Sequence, residues 1–395
     1  MNKLWTKDFI FLSLSNLFMF GSFYMLLPTL PLFIVDSLQG EEKHVGLIIG
    51  LFSAAQIFSR PLTGRWLDYY SRKHVFLLAR ILFALCMFFY LGIASLFVFF
   101  LLRFVHGFGF GMATTASGTI ASDIIPQERR AEGMGYYSTF ASIAMIVGPF
   151  LGLVLLQAYD FYTMFLICTL LSITSFVLGY FIKVSKTEKS KERSKKKFKL
   201  TNFFEYKVVP ISIVSGLMYV LYGGIVSFIS LYAKERGNVD LAGYFLGILS
   251  IALIFARPLS GKVSDKYGSH LVVFPGFILA IIGVLLLSQT QTVLTFNISA
   301  ALIGISFGLM LPSLHATMLE LVPAERRGTA TATYFMGNDI GIASGSFILG
   351  FIANYLGYAM MYLSSTLFIV LSFISYLTVL HKKKLEQKQE TSLSS

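Results

Sequence analysis

The sequence predicts an all-α membrane protein whose twelve transmembrane helices fall into two parallel six-helix repeats. Three observations carry that prediction. Hydrophobic residues make up 55% of the chain and charged residues only 13%, with a mean hydropathy of +0.72; ordinary globular proteins carry roughly 25% charged residues. The apolar residues gather into twelve runs near the length of about 20 residues that a helix needs to cross a bilayer. The chain also repeats itself at one constant spacing. Together these exclude a soluble multidomain protein. The net charge of +12 does not signal nucleic acid, because the basic residues are confined to short segments between the apolar runs.

The expected spans are 9–35, 45–63, 74–94, 96–120, 131–156 and 161–182, then 208–232, 241–261, 270–288, 291–318, 328–353 and 358–380. The first follows Lys3 and Lys7 but is too long for a signal peptide's apolar region and has no small-x-small cleavage site, so it reads as a permanent helix. Cys86 and Cys168 lie inside apolar runs and form neither a disulfide framework nor a metal spacing. Of the 32 Lys and Arg, Lys43, Lys234 and Arg236 lie in the odd-to-even loops, and Arg60, Arg80, Arg103 and Arg257 lie within spans. All the others lie in the two tails and the even-to-odd loops. The positive-inside rule therefore puts both termini in the cytoplasm. The expected organisation is a bundle over 1–182, a basic cytoplasmic linker over 183–207, a second bundle over 208–380 and a polar tail over 381–395 with no packed structure. The linker reads as a solvated segment that pins topology, with binding to anionic lipid headgroups as the alternative.

The stretch from Arg60 to Val75, RPLTGRWLDYYSRKHV, returns from Arg257 to Val272 as RPLSGKVSDKYGSHLV, an offset of 197. The loop IPQERR at 125–130 returns as VPAERR at 322–327, with the same offset. Both copies of each fall on the cytoplasmic side, so the halves are parallel repeats. Two such bundles facing each other enclose a midplane cavity, and rocking them gives alternating access.

Gly64, Asp68, Arg72 and Lys73 make the loop after span 2 resemble the signature G-x-x-x-D-R/K-x-G-R-R/K of the major facilitator superfamily, with Tyr69 and Ser71 departing from it. The second copy keeps Gly261, Asp265, Lys266 and Gly268. Arg103, Gly107, Gly109 and Gly111 in span 4 are similar to that family's R-x-x-x-G-x-G element. Gly148, Pro149 and Gly152 in span 5 resemble the motif of its antiporters, G-x-x-x-G-P-x-x-G-G, with Ala144 and Leu153 in place of two glycines. The resemblance implies the major facilitator fold, secondary active transport and no enzymatic activity. It places the span-5 motif at the interface between the halves.

Asp68 and Asp265 close spans 2 and 8, where a carboxylate gains from a helix N-terminus and from nearby arginine. Asp68, Arg72, Glu128 and Arg129 are therefore expected to form a cytoplasmic gate, with Asp265, Glu325 and Arg326 as the second-half set. The alternative is that these charges only fix topology. Gly148, Pro149 and Gly152 form a helix kink with close packing. Gly107, Gly109 and Gly111 lie inside an apolar helix with no preceding strand, which favours packing over a nucleotide loop.

Asp339 is the one acid deep inside a span. Eleven residues into span 11, it lies roughly 16 Å deep, near the middle of a 30 Å core. A carboxylate there costs at least about 2.5 kcal/mol, so it faces a cavity or a partner. It is the expected proton-coupling residue, the alternative being an interhelical hydrogen bonder. His106 is a second candidate for coupling. It shares a helix face with Arg103, which suits an anionic group or a partner such as Asp339. Asn338, Tyr24 and Tyr222, with Met25, Pro28, Pro31 and Tyr219, are expected cavity residues from span position. His315 is a weaker candidate, and Arg60 and Arg257 read as anchors that snorkel.

The leading function is proton-driven efflux of a small organic molecule, a drug-like compound or an endogenous metabolite such as a metal chelator. The alternatives are a proton symporter importing a sugar, organic acid or peptide, and a flippase for a lipid-linked substrate. No cofactor, metal or nucleic acid is implied. The partners are the small-molecule substrate, protons and the lipid bilayer, a monomer suffices, and the expected location is a bacterial cytoplasmic membrane.

Overall fold

The computed structural model describes residues 3–40, 42–184, 203–237 and 240–394. Its helices are α1 (Lys7–Asp36), α2 (Glu42–Tyr69), α3 (Arg72–Phe89), α4 (Leu96–Ile124), α5 (Arg130–Ala158), α6 (Phe161–Tyr180), α7 (Val209–Glu235), α8 (Asp240–Tyr267), α9 (His270–Ser288), α10 (Val293–Glu320) and α11 (Arg327–Ser394). Among the described residues, ten helical segments are long and apolar enough to cross a membrane. One of them, Ala324–Leu380, contains Gly357 at φ 78°. That left-handed conformation suits glycine and breaks the helix in two. The break falls between the expected spans 328–353 and 358–380. With α2 (Glu42–Tyr69), the helical stretches among the described residues number twelve. Large apolar side chains such as Phe150, Phe255 and Phe347 are two-thirds or more exposed, as a lipid-facing surface requires. The protein is a multi-pass helical membrane protein.

Helix ends follow local chemistry. Thr6 caps α1 by accepting from the Phe9 amide at 3.2 Å, Asp160 caps α6 through the Thr163 amide at 2.7 Å, and Thr292 and Thr295 form a reciprocal capping box on α10. The helix continues through the expected polar tail to Ser394. Residues 381–390, rich in Lys, Leu, Glu and Gln, are strong helix formers. The expected basic linker lies largely outside the described residues.

The chain divides into two compact units. The first comprises Met1–Phe204 with Pro323–Ala332, and the second Glu205–Val322 with Thr333–Ser395. In the first, α1 packs on α5 and α6, α2 on α4, and α3 on α4 and α6. In the second, α10 packs on α8 and α9, and α7 packs on both stretches of α11.

The 197-residue repeat is visible in this packing. A Cβ on Gly111 would sit 2.8 Å from the Gln56 carbonyl, and one on Gly308 would sit 2.8 Å from the Leu253 carbonyl; both pairs of positions differ by 197. Gly107 against Phe52 and Gly304 against Leu249 are likewise equivalent. Only glycine lets the helices approach this closely. Ser175 Oγ donates to the Ser15 carbonyl and Ser372 Oγ to the Val214 carbonyl, each at 2.7 Å.

Candidate functional site

In the first unit, the signature after span 2 meets the first turn of α11. Gly64 and Asp68 are one turn apart on α2 and meet the first turn of α11. A Cβ on Gly64 would sit 2.9 Å from the Gly328 carbonyl, and one on Gly328 would sit 2.7 Å from the Gly64 carbonyl, so both must lack side chains. The two glycines bring the Asp68 carboxylate onto the helix N-terminus. It accepts from the Gly328 amide at 2.9 Å, from the Thr329 amide at 3.1 Å and from the Thr329 hydroxyl. These are amides that a helix leaves unsatisfied, at its positive end. Asp68 lies beyond the expected end of span 2. Burial pushes its carboxyl up from 3.8 to about 6, against the opposing pull of the Thr329 bonds and the Arg72 and Arg326 charges.

Arg72 does not bond Asp68 directly. It pairs with Asp123 at the end of α4 and donates to the Ala324 carbonyl. Asp123 also pairs with Arg327 at 3.3 Å, and Arg327 donates to the Ser122 carbonyl at 3.0 Å. Arg326 donates to the Phe204 carbonyl at 3.4 Å. Arg129 forms a two-pronged pair with Glu132, at 2.6 and 2.8 Å. Glu128 is exposed and Glu325 half-buried on their 3₁₀ turns, and Asp265 is half-buried in the last turn of α8. The structure thus gathers Asp68, Arg72 and Arg326 about the start of α11 and leaves Glu128 outside. Sequence reasoning missed Asp123 and Arg327.

Deeper in the same unit, Arg103 and His106 are buried, at 2% and 0% exposure. His106 Nδ1 lies 2.9 Å from the Tyr90 hydroxyl and 3.3 Å from Arg103 Nη1, which also reaches Tyr90 at 3.4 Å. The Arg103 guanidinium stands 4.3 Å from the Phe52 ring centroid, a cation–π distance. Phe52 and Phe83 flank the imidazole. The expected pair therefore exists, wrapped in aromatic side chains, with Tyr90 as a third member that span position did not reveal. Arg60 does not snorkel. It is 4% exposed and donates to Thr114 and Thr115 on α4 at 3.4 and 3.3 Å.

Gly148 and Gly152 press α5 against α1. A Cβ on Gly148 would come within 2.7 Å of Tyr24 Cβ, and one on Gly152 within 2.5 Å of the Met25 carbonyl oxygen and 3.0 Å of Met25 Cα. Pro149 lies inside α5, as Pro28 and Pro31 lie inside α1. This motif builds the α1–α5 contact within the first unit. Tyr24 stacks with Phe20 and meets Phe23.

In the second unit, Asn338 is buried and accepts from Ser215 of α7 at 2.7 Å. Asp339 beside it is half-buried, twelve residues into α11. His315 of α10 stacks on Tyr334 of α11, with ring centroids 5.1 Å apart. Tyr222 joins Tyr219 and Phe307 in an aromatic cluster. Among the described residues, no three His, Cys, Asp or Glu side chains come together to hold a metal.

Among the described residues, twelve helical stretches in two repeats define a polytopic membrane protein. The family model described as Major Facilitator Superfamily matches residues 12–345 and again 211–394. The chain belongs to the major facilitator superfamily. It is 24% identical to a multi-drug resistance efflux pump homologue of Lactococcus lactis, over 96% of this chain and 98% of that one. It is 24% identical to the staphylopine export protein of Staphylococcus aureus, covering 84% of this chain and 86% of that one. Among solved structures, the human organic anion transporter MFSD10 superposes with a TM-score of 0.78 at 16% identity, over 93% of this chain and 98% of that one.

Proposed function

We propose that the protein is a proton-driven exporter of a small organic molecule, working by alternating access in a bacterial cytoplasmic membrane with both termini in the cytoplasm. The observation that carries the export reading is the end-to-end likeness to relatives named as efflux and export proteins. In this reading Asp68, Arg72, Asp123, Arg326 and Arg327 form a latch that holds the cytoplasmic gate shut, and Asp265 serves the second copy. Asp339 takes and releases the coupling proton, with His106 as the second coupling group. Arg103, Asn338, Tyr24 and Tyr222 contact the cargo.

The physical support for Asp339 is its position. A lone carboxylate in the middle of a membrane helix is retained at a cost, and a carboxyl that changes charge once per cycle gives that cost a use.

The test is proton flux in energised inside-out vesicles carrying the wild type or Asp339→Asn, challenged with lipophilic cations, amino-acid-derived chelators, sugars and organic acids. Proton release on adding one solute class, lost in Asp339→Asn, is the expected result. A variant that responds like the wild type overturns the role of Asp339. Accumulation of a solute inside energised whole cells, rather than its depletion, overturns export in favour of symport.

A further inference from the structure

Arg80 is an arginine for which neither the latch nor the proposed coupling path has a use. It lies on α3 and is 1% exposed. Its Nη2 donates to Ser117 Oγ on α4 at 2.9 Å and to Asn16 Oδ1 on α1 at 3.2 Å. The Tyr137 side chain, on α5, lies beside the same Ser117 and Asn16. The Phe76 ring lies 4.9 Å from the guanidinium carbon. A guanidinium has five N–H donors. Here Nη2 uses its two, while the remaining three, on Nε and Nη1, have no acceptor among the described residues.

Among the described residues, no carboxylate pairs with this charge. The acids of α1, α3, α4, α5 and α6 are Asp8, Asp36, Asp123 and Glu132, each within three residues of a helix end. Three of these ends have their own partners: Asp8 accepts from the Lys183 amide, Asp123 pairs with Arg72 and Arg327, and Glu132 with Arg129. Arg80 is thus a buried cation held by neutral dipoles, with donors left over. Buried polar groups are normally satisfied, so the open donors point to a ligand that brings its own acceptors and negative charge.

The depth of the cluster says from which side that ligand comes. Asn16, Arg80, Ser117 and Tyr137 all lie seven to nine residues from the latch-side ends of their helices, roughly 10–13 Å at 1.5 Å per residue. The latch closes over two of those same helices, since Arg72 begins α3 and Asp123 ends α4. Arg80 lies about two turns below Arg72, and Ser117 about two turns below Asp123.

We propose that Arg80, with Asn16, Ser117 and Tyr137, is a binding site for an organic carboxylate, sealed by the closed latch and reached from the cytoplasm when it opens. The site gives the transported molecule a class, an organic anion. The direction of entry rests on the export reading, whereas the binding chemistry does not.

The test is the thermal unfolding midpoint of the purified full chain in detergent with sodium gluconate as the background salt. The probes are benzoate, its neutral counterpart benzamide, the cation benzylamine and sodium chloride. Benzoate is expected to raise the midpoint where the other three, at equal concentration, do not. Arg80→Gln is expected to abolish the response, and Arg80→Lys to require at least tenfold more benzoate, because ammonium lacks the planar fork. Arg236→Gln, at the far end of α7, should leave the response unchanged. Should Arg80→Gln not fold, Asn16→Asp decides: a carboxylate placed beside Arg80 raises the midpoint without ligand and removes the response to benzoate.

Equal effects of benzoate and benzamide overturn the proposal, as does a wild-type response in either Arg80→Gln or Asn16→Asp. Equal stabilisation by chloride overturns the organic class. Benzoate that binds through Arg80 but releases no protons from energised vesicles leaves the site standing and defeats the export reading. Proton release by other solutes with no benzoate binding does the reverse.

Discussion

Replacing Gly152 by valine should separate α5 from α1 and destabilise the first unit. The α-carbon hydrogen of Gly152 faces the backbone of Met25, where a Cβ would lie 2.5 Å from the carbonyl oxygen and 3.0 Å from Cα. An ordinary contact begins near 3.4 Å, so the helices must part by roughly 0.5–1 Å. A gap of that size forfeits about a quarter to a half of each dispersion contact along the interface, and overpacked cores commonly lose about 1–3 kcal/mol. Valine brings two methyl groups beyond the Cβ, which puts the expected loss at about 2–4 kcal/mol. At roughly 2 °C per kcal/mol for a unit of this size, the midpoint should fall by about 4–8 °C. The protein carries its own reporter, because Cys86 and Cys168 are both free and buried, and a thiol-reactive dye lights up only as the bundle opens. Gly21→Ala is the control: it lies on α1 and a Cβ there meets nothing within 4 Å, so its midpoint should hold or rise. If Gly152→Val unfolds within a degree of the wild type, the packing account of this motif is wrong.

Three further predictions concern the latch. Asp68→Ala removes the acceptor from the Gly328 and Thr329 amides, each bond costing about 1–3 kcal/mol to break without replacement, and hydrogen exchange at these two amides should speed up tenfold or more. Unchanged exchange would show that the carboxylate does not hold them. Acid should tighten the latch. The Asp68 carboxyl is raised to about 6 in the closed form and returns to its ordinary value when released, so closure is strongest below about pH 4 and weakens as pH rises through 6. Between pH 7.5 and 5.5 the closed-to-open ratio should rise about fourfold, read as slower exchange after correction for the intrinsic pH effect; faster corrected exchange in acid would reverse the sign. Asp123→Asn strips the charge partner from Arg72 and Arg327 and should cost about 3–5 kcal/mol, whereas Glu128→Gln, at an exposed position, should stay within about 0.5 kcal/mol. Equal unfolding midpoints for the two variants would remove Asp123 from the latch.

The spans were legible because length and hydropathy suffice to mark a membrane helix, and the break at Gly357 fell where the apolar pattern paused. Asp68 on a helix N-terminus was also legible, since a carboxylate ending one helix near the start of another has few better uses. Which basic residues it gathers was not, because loop charges one or two residues apart point in different directions. Arg129 turns to Glu132, while Arg327, one residue past its counterpart Arg326 in the other copy, reaches Asp123. A signal for Asp123 did exist: 197 residues later stands Glu320, also acidic and also ending its helix. Arg60 was misjudged because snorkelling assumes no polar partner at depth, and Thr114 and Thr115 provide one. Tyr90 could not be singled out from a chain with 20 tyrosines. Its role depends on a one-turn 3₁₀ segment after α3 that periodicity does not predict.

The two copies agree in packing and disagree in charge, and that contrast bears on where transport is done. Gly107 and Gly304, and Gly111 and Gly308, are matched at the repeat spacing and make matching contacts, and Ser175 and Ser372, also matched, each donate to a helix carbonyl. These are the positions that set how closely helices lie, and any six-helix bundle of this topology needs them. Four charged or titratable residues within the spans have no such counterparts. Arg80 corresponds to Phe277, Arg103 to Ala300, His106 to Ile303, and Asp339 to Ser142. A scaffold requirement would act on both copies alike, because both bundles solve the same packing problem in the same solvent. Charges that appear in one copy only answer to something that differs between the copies, and a cargo or a proton is such a thing. By this reasoning Arg80 and Arg103, buried in the first unit, and Asp339 in the second are the positions where variants bear most directly on the proposed transport.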